Sequence, residues 1–125
     1  IVATVIDRWV DGTQRYDGPG ESLLVAARPP GVAVAVGGVA WCPNVTGARR
    51  VRRFYVSSTA RRQGIARDLA TRLIESAAHH ASKVTCNARA SAAAAPFWES
   101  LGFTPVATDG ITHVLDLPAR ITSQV

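Results

Sequence analysis

The stretch VRRFYVSSTARRQGIA, residues Val51–Ala66, is the part of the chain from which the rest can be read. Val51–Val56 reads as an apolar strand, Thr59–Arg62 as a turn, and the residues from Gly64 onward as a helix. A helix N-terminus exposes backbone N–H groups and carries partial positive charge, so a phosphate is stabilised there without a metal. Gly64 has no side chain to obstruct a close approach. Ala66 is also small, and Arg61 and Arg62 can add charge-assisted hydrogen bonds. This is the layout of a backbone anion cradle, and it points to a phosphate-bearing cofactor. The competing reading is a plain helix start with a glycine and two solvated arginines. Two familiar nucleotide loops are excluded. A Walker A loop needs Gly-Lys-Ser/Thr, and a dinucleotide fingerprint needs three closely spaced glycines, whereas only Gly64 stands in this turn.

Working outward, Gly64–Ala81 forms the longest predicted helix, with Ile65, Leu69, Leu73 and Ala77 recurring at helical spacing as its buried stripe. Upstream, Leu23–Arg28 and Val32–Trp41 read as strands joined tightly at Pro29-Pro30-Gly31, most simply antiparallel. Gly37-Gly38 inside the second strand invites a bulge or a close backbone approach. Pro43–Arg50 reads as a loop. Downstream, Val84–Ala88 is a strand and Ala90–Leu101 a helix closed by Gly102. Phe103–Val106 and Thr112–Leu117 form a hairpin around Asp109-Gly110. Ile1–Val10 fits either a weak strand or a short helix with Val2, Val5, Ile6 and Trp9 on one face. Asp11–Glu21 is a polar loop.

Strand–helix–strand crossovers imply a parallel component, so the expected class is α/β with mixed pairing in one domain. Residues 1–21 form a short N-terminal element and loop, 22–117 the core, and 118–125 a peripheral tail.

Of the 125 residues, 47% are apolar, enough for a real core, and the formal net charge is +5. The cations concentrate at Arg49, Arg50, Arg52, Arg53, Arg61 and Arg62. A local anion site would produce this, as would a nucleic-acid or membrane surface or a solvated basic face. No helix-turn-helix, zinc finger or aromatic RNA-binding motif accompanies the cluster, which sets nucleic acid aside. Cys42 and Cys86 are expected as free thiols in a reducing compartment. Neither has a His or Cys at metal-ligand spacing, so no metal is expected. The longest apolar run, Val32–Trp41, is too short to span a membrane, and no signal peptide is visible. A cytoplasmic protein without membrane contact is the expectation. The chain starts at Ile1 rather than Met, as a processed, trimmed or partial chain would.

Arg61-Arg62-Gln63-Gly64-Ile65-Ala66 resembles the Arg/Gln-x-x-Gly-x-Gly/Ala motif of the GNAT superfamily of N-acetyltransferases. Val51–Val56 resembles the family's fourth strand, and PFWESLGF at Pro96–Phe103 its aromatic-rich fourth helix with the Leu-Gly-Phe that ends it. The resemblance runs from about Leu23 to Leu117. It implies a GNAT-like α/β fold, a mixed, twisted central sheet flanked by helices, with an abbreviated N-terminal part. It also implies an acyl-CoA cofactor, usually acetyl-CoA, with the backbone of Gln63, Gly64, Ile65 and Ala66 at the pyrophosphate and Arg61 and Arg62 beside it. Val56 and Ser57 would meet the pantetheine arm where the strands Val51–Val56 and Val84–Ala88 splay apart. The acceptor amine would approach from the other side and attack the thioester directly.

Two departures stand out. Trp98 occupies the position where members often carry a Tyr as general acid, and an indole N–H donates hydrogen bonds but is no practical acid. Only Ile1–Ser22 remains of the first strand and two helices that usually shape the acceptor pocket.

No carboxylate lies on Val51–Val56, so His113 is the leading base, because imidazole titrates near neutral pH. Pairing with a carboxylate or backbone group is its structural alternative. Tyr55 would orient substrate, or pack as a sheet aromatic. Asn87 would bond the cofactor arm, or cap a loop. Trp98 would flank the pantetheine, or fill the core. The expected function is acyl transfer, most simply acetyl transfer, from acetyl-CoA to a primary amine of a small molecule or protein. A non-catalytic acyl-CoA-binding or regulatory module is the runner-up. The acceptor is unidentified, and the resemblance allows a homodimer.

Overall fold

The computed structural model describes residues 2–5, 18–28, 31–60 and 64–118. In chain order the elements are β1 (Val2–Val5), β2 (Ser22–Arg28), β3 (Val32–Trp41), β4 (Ala48–Val56), a short 3-10 turn (Ser58–Ala60), α1 (Ile65–Ala78), β5 (Lys83–Cys86), α2 (Ala94–Ser100), β6 (Thr104–Thr108) and β7 (Ile111–Asp116). The strands form one seven-stranded sheet in the order β1-β2-β3-β4-β5-β7-β6. β4 and β5 pair in parallel, as the α1 crossover requires, and every other pair is antiparallel. The fold class is therefore the mixed α/β expected. The ambiguous N-terminus resolves to a strand over Val2–Val5, paired with β2 from Val2↔Ala27 to Val5↔Leu24.

Three element boundaries correct the sequence reading. β4 begins at Ala48, inside the segment expected to be loop, because Ala48, Arg49 and Arg50 pair with Lys83, Val84 and Thr85 of β5. Two adjacent arginines suggest a loop, but strand pairing is a backbone matter, and their side chains leave the sheet at once. Arg49 donates to the Pro19 carbonyl at 2.9 Å (Nε) and 2.7 Å (Nη2), and Arg50 to the Gly110 carbonyl at 3.1 Å. The second correction is at the end of α1, which stops at Ala78 rather than Ala81. The third is α2, which starts at Ala94 rather than Ala90. Residues 90–93 are all exposed and offer nothing to bury. Alanine propensity without a packed face does not hold so short a helix.

The buried stripe of α1 is Ile65, Leu69, Ala70, Leu73 and Ala77. It joins Val39, Val51, Val84, Cys86, Trp98 and Phe103 in the main core cluster. Gly37 permits a close approach between strand and ring. Opposite it, β4 places two residues, Arg53 and Phe54, in a bulge between the pairs Gly38↔Arg52 and Val36↔Tyr55. A Cβ at Gly37 would lie 2.8 Å from the Phe54 ring and 3.1 Å from Leu73, so only glycine lets that ring lie across β3. α2 ends in the expected glycine turn. Gly102 adopts φ 101°, its N–H donates to Glu99, and the Phe103 N–H reaches back to Trp98 at 3.2 Å.

Candidate active site

β4 and β5 share only three residue pairs, ending at Arg50↔Thr85. Beyond that point β4 continues for six more residues while β5 ends at Cys86, so the sheet is split. A cleft of about 1090 Å³ occupies the split. Its β4 wall runs from Arg50 to Val56. Its opposite wall comprises Cys86 and Asn87 from the end of β5, and Ala94, Phe97 and Trp98 from α2. Ala66 of α1 borders one end.

The two faces of β4 can be told apart by what they touch. Val51 packs in the main core with α1, whereas Ala48 packs with Cys42 and Ile111 in a separate cluster. Alternation along the strand puts Arg50 and Arg52 on the face of Ala48, opposite α1. Residues from both faces line the cleft, so it passes through the sheet rather than resting on it. The bulge helps to open it. Arg53 takes φ 54°, a left-handed conformation that a non-glycine residue adopts only when its surroundings impose it.

At the α1 end, Gly64 is the N-cap, with φ 76° and no side-chain cap hydrogen bond. Its carbonyl accepts the first helical bond from Asp68 at 3.0 Å. Gly64 itself caps no first-turn amide, and a Cβ on it would meet no atom of the described residues within 4 Å, its chain neighbours apart. An anion fits this cradle on geometric grounds. Ile65 turns its side chain into the core and presents only its backbone, and Ala66 is half-buried at the cleft border. Arg61, Arg62 and Gln63, the other expected cofactor contacts, lie outside the described residues.

Ser57 donates its N–H to the Val34 carbonyl at 2.8 Å, so its amide turns to β3 and not to the cleft. In an antiparallel ladder, hydrogen-bonded and non-hydrogen-bonded pairs alternate. The neighbouring pair Ala35↔Val56 is then of the second kind, and the Val56 amide is directed away from β3, toward the split.

The α2 wall is aromatic. The Trp98 ring makes edge contacts with Phe54 at 5.0 Å, Phe97 at 5.0 Å and Phe103 at 5.2 Å, and the residue is 5% exposed. Trp98 fills the core and also lines the cleft. Cys86 is free and 2% exposed, and burial pushes its thiol up to about 12. At neutral pH it is a neutral apolar lining group, not a nucleophile. Asn87 reaches the cleft, yet its amide donates to the Gly110 carbonyl at 3.2 Å and its oxygen accepts from the Arg89 N–H at 3.2 Å, which is the loop-capping role.

Tyr55 is 58% exposed and lines the cleft beyond the bulge. His113 is not in the cleft wall. It sits opposite Cys86 in the β5–β7 ladder and is 5% exposed. Nε2 lies 2.8 Å from the Glu99 carboxylate and Nδ1 2.8 Å from the Thr112 hydroxyl. A carboxylate oxygen accepts, so Nε2 carries the proton, and the second nitrogen is occupied by its neighbour. His113 thus pairs with a carboxylate, which is the structural alternative to a base, and ties β7 to α2. No local signal could reveal this pair, because Glu99 lies fourteen residues away on a different element.

A family model described as "Acetyltransferase (GNAT) domain" matches residues 11–115. No curated protein matches the chain. Several solved structures share the fold. One is a protein from Exiguobacterium sp. 255-15 assigned to the acetyltransferases, 28% identical over 81% of this chain with a TM-score of 0.74; the chain spans 66% of that protein's length. Another is the ribosomal-protein-S18-alanine N-acetyltransferase of Escherichia coli, 19% identical over 88% of this chain and 77% of its own, with a TM-score of 0.66. A third is Rv2747 of Mycobacterium tuberculosis, solved with CoA, 20% identical over 68% of this chain and 49% of its own, with a TM-score of 0.58.

Proposed function

The chain belongs to the family of GNAT acetyltransferases, and from that premise we propose that it transfers an acyl group, most simply acetyl, from acyl-CoA to a primary amine. The observation that carries this reading is the split between β4 and β5 leading to the glycine-capped start of α1. Bound there, acyl-CoA supplies an acyl group already activated as a thioester. The first-turn amides of α1 hold its pyrophosphate, with Gly64 leaving the space open. Val56 ends the β4 wall of the cleft and would meet the cofactor arm there. Phe97 and Trp98 exclude water from one side.

No Asp, Glu or His among the described residues lines the cleft. The proton of the acceptor amine then passes to solvent through the exposed mouth beside Tyr55. Activity should rise with pH along the ionisation of the amine itself. His113→Gln should leave the position of that profile unmoved, and a shifted profile would identify His113 as the base. The same lack of a lining base favours a second reading, an acyl-CoA-binding module without transfer. The two separate when acetyl-CoA and a panel of amines are incubated with the chain: release of CoA that depends on the amine supports transfer, and tight binding without release supports the module.

Cofactor placement is tested by calorimetry with acetyl-CoA and Gly64→Asn. Asparagine tolerates the left-handed conformation better than other side chains, so the variant should fold while its side chain enters the cradle. Affinity should fall by about tenfold or more, equivalent to ~1.4 kcal/mol. Unchanged affinity in a folded variant would remove the pyrophosphate from this turn.

A further inference from the structure

The cleft wall holds three guanidinium groups, Arg50, Arg52 and Arg53, and no carboxylate among the described residues. Their situations differ. Arg50 is anchored, with Nη2 donating to the Gly110 carbonyl at 3.1 Å. Arg52 is partly buried, its Nε is fully buried, and that atom has no hydrogen-bond partner. No ion pair or hydrogen bond among the described residues involves Arg52. A guanidinium stays charged at any pH a protein tolerates, and a partly buried charge is costly unless something pairs with it. Folding alone would favour an apolar residue at this position. Nothing among the described residues accounts for the charge, and an anion that arrives from outside them would.

The cofactor's phosphates do not account for it. The pyrophosphate cradle is at the start of α1, beyond the far end of β4. Arg52 lies four residues upstream of Val56, roughly 10 Å or more back along the strand. It is also on the face of β4 opposite α1, whereas the cradle belongs to α1 itself. Arg50 shares that face two residues away, about 7 Å along the strand, so both side chains can reach one small anionic group. In the acyltransferase reading, an acceptor would reach the split from this same face.

We propose that Arg52, supported by Arg50, seats an anionic group of the acceptor, so that the substrate is an amine that also carries a carboxylate or a phosphate. This rests on the acyltransferase reading for its direction, but the anion seat can be measured apart from it. The probes are matched pairs: α-amino acids against their carboxamides, and O-phosphoethanolamine against ethanolamine. Binding is measured by calorimetry with and without CoA, on the wild-type chain and on Arg52→Met. Methionine keeps the apolar stem and removes the charge.

At least one anionic member should bind tenfold or more tightly than its neutral partner, and Arg52→Met should reduce that preference to within about threefold. The carboxylate and phosphate pairs identify which anion the seat takes. Thermal melting should show Arg52→Met as stable as the wild type or more so, since an unpartnered charge is removed. Equal binding of both members of every pair, no binding of any anionic member, or a preference that survives Arg52→Met overturns the proposal. A chain that fails to bind acetyl-CoA but still prefers the anionic member loses the acyltransferase reading and keeps the anion seat. A chain that acetylates amines without preference does the reverse.

Discussion

The wall of the cleft made by β5 and α2 is continuous with the core, whereas the far half of β4 joins the core on one face only, through Phe54 and Val56. On the first, Trp98 and Cys86 are almost fully buried and belong to the same cluster as Leu69 and Leu73. On the second, Arg53 and Tyr55 are exposed, and the buried Nε of Arg52 has no hydrogen-bond partner among the described residues. The difference lies in what each wall is for. The aromatic wall cannot change without cost to folding, so it is suited to the part of the reaction that never varies. The β4 wall has lost its β5 neighbour and carries the bulge, and its exposed residues Arg53 and Tyr55 stand outside the core clusters.

The largest effect that tests this contrast is Trp98→Ala. The ring touches Phe54, Phe97 and Phe103, and truncating a buried Trp in a core costs about 3–5 kcal/mol. Denaturant unfolding followed by circular dichroism measures it. A loss below about 1 kcal/mol would mean that the aromatic wall is a cofactor lining only, and the contrast between the walls would fail.

The contrast also explains how much of the molecule was legible in the sequence. The aromatic wall could be read because PFWESLGF combines large apolar residues, a helix and a glycine stop, and each is a local signal. α1, β3 and the β6–β7 hairpin were legible for the same reason. The start of β4 was not, because Arg49 and Arg50 look like loop residues and their pairing depends on β5, more than thirty residues away. The start of α2 had a usable signal. Proline lacks an N–H and fits only the first turn of a helix, so Pro96 argues for a start near Ala94 rather than Ala90. The surroundings of His113 were not legible because a sequence shows the type of a titratable residue but not its partner. Glu99 and Thr112 meet it only once α2 lies over β7. The unpartnered Nε of Arg52 could not be seen at all, since it is defined by what is missing around it.

A second, smaller test uses the Cys86 thiol, which sits on the aromatic wall. Burial raises its pKa from 9.0 to about 12. The unfolded chain releases this proton near pH 9 and the folded chain holds it, so the folded state binds more protons between these values and stability falls as pH rises. The thiol's contribution is fully present below pH 9 and is lost toward pH 12. Near pH 10 the loss is about 1.4 kcal/mol, since one pKa unit corresponds to that amount. Cys86→Ala removes the thiol, so its stability should decline less between pH 8 and pH 10 than that of the wild type. Subtracting the two curves cancels the other groups that titrate in this range. Identical slopes would mean that the thiol is solvated through the cleft and that the wall is less closed than its burial implies.

The smallest effect belongs to the opposite wall. Tyr55 is 58% exposed, lies past the bulge and faces the mouth of the cleft. A surface position of this kind changes stability by no more than about 0.5 kcal/mol on substitution, so Tyr55→Ala should unfold at nearly the wild-type denaturant concentration. Its effect should appear in catalysis. If Tyr55 orients the acceptor, Tyr55→Ala raises KM for the amine and leaves KM for acetyl-CoA unchanged, while Tyr55→Phe keeps most of the orienting surface and stays close to wild type. If instead the hydroxyl carries a proton, Tyr55→Phe lowers kcat as severely as Tyr55→Ala. A stability loss above 1 kcal/mol in Tyr55→Ala would mean that this wall, too, is part of the core. Freedom to vary could then no longer be assigned to one side of the cleft, and the acceptor's determinants would have to be sought on other elements.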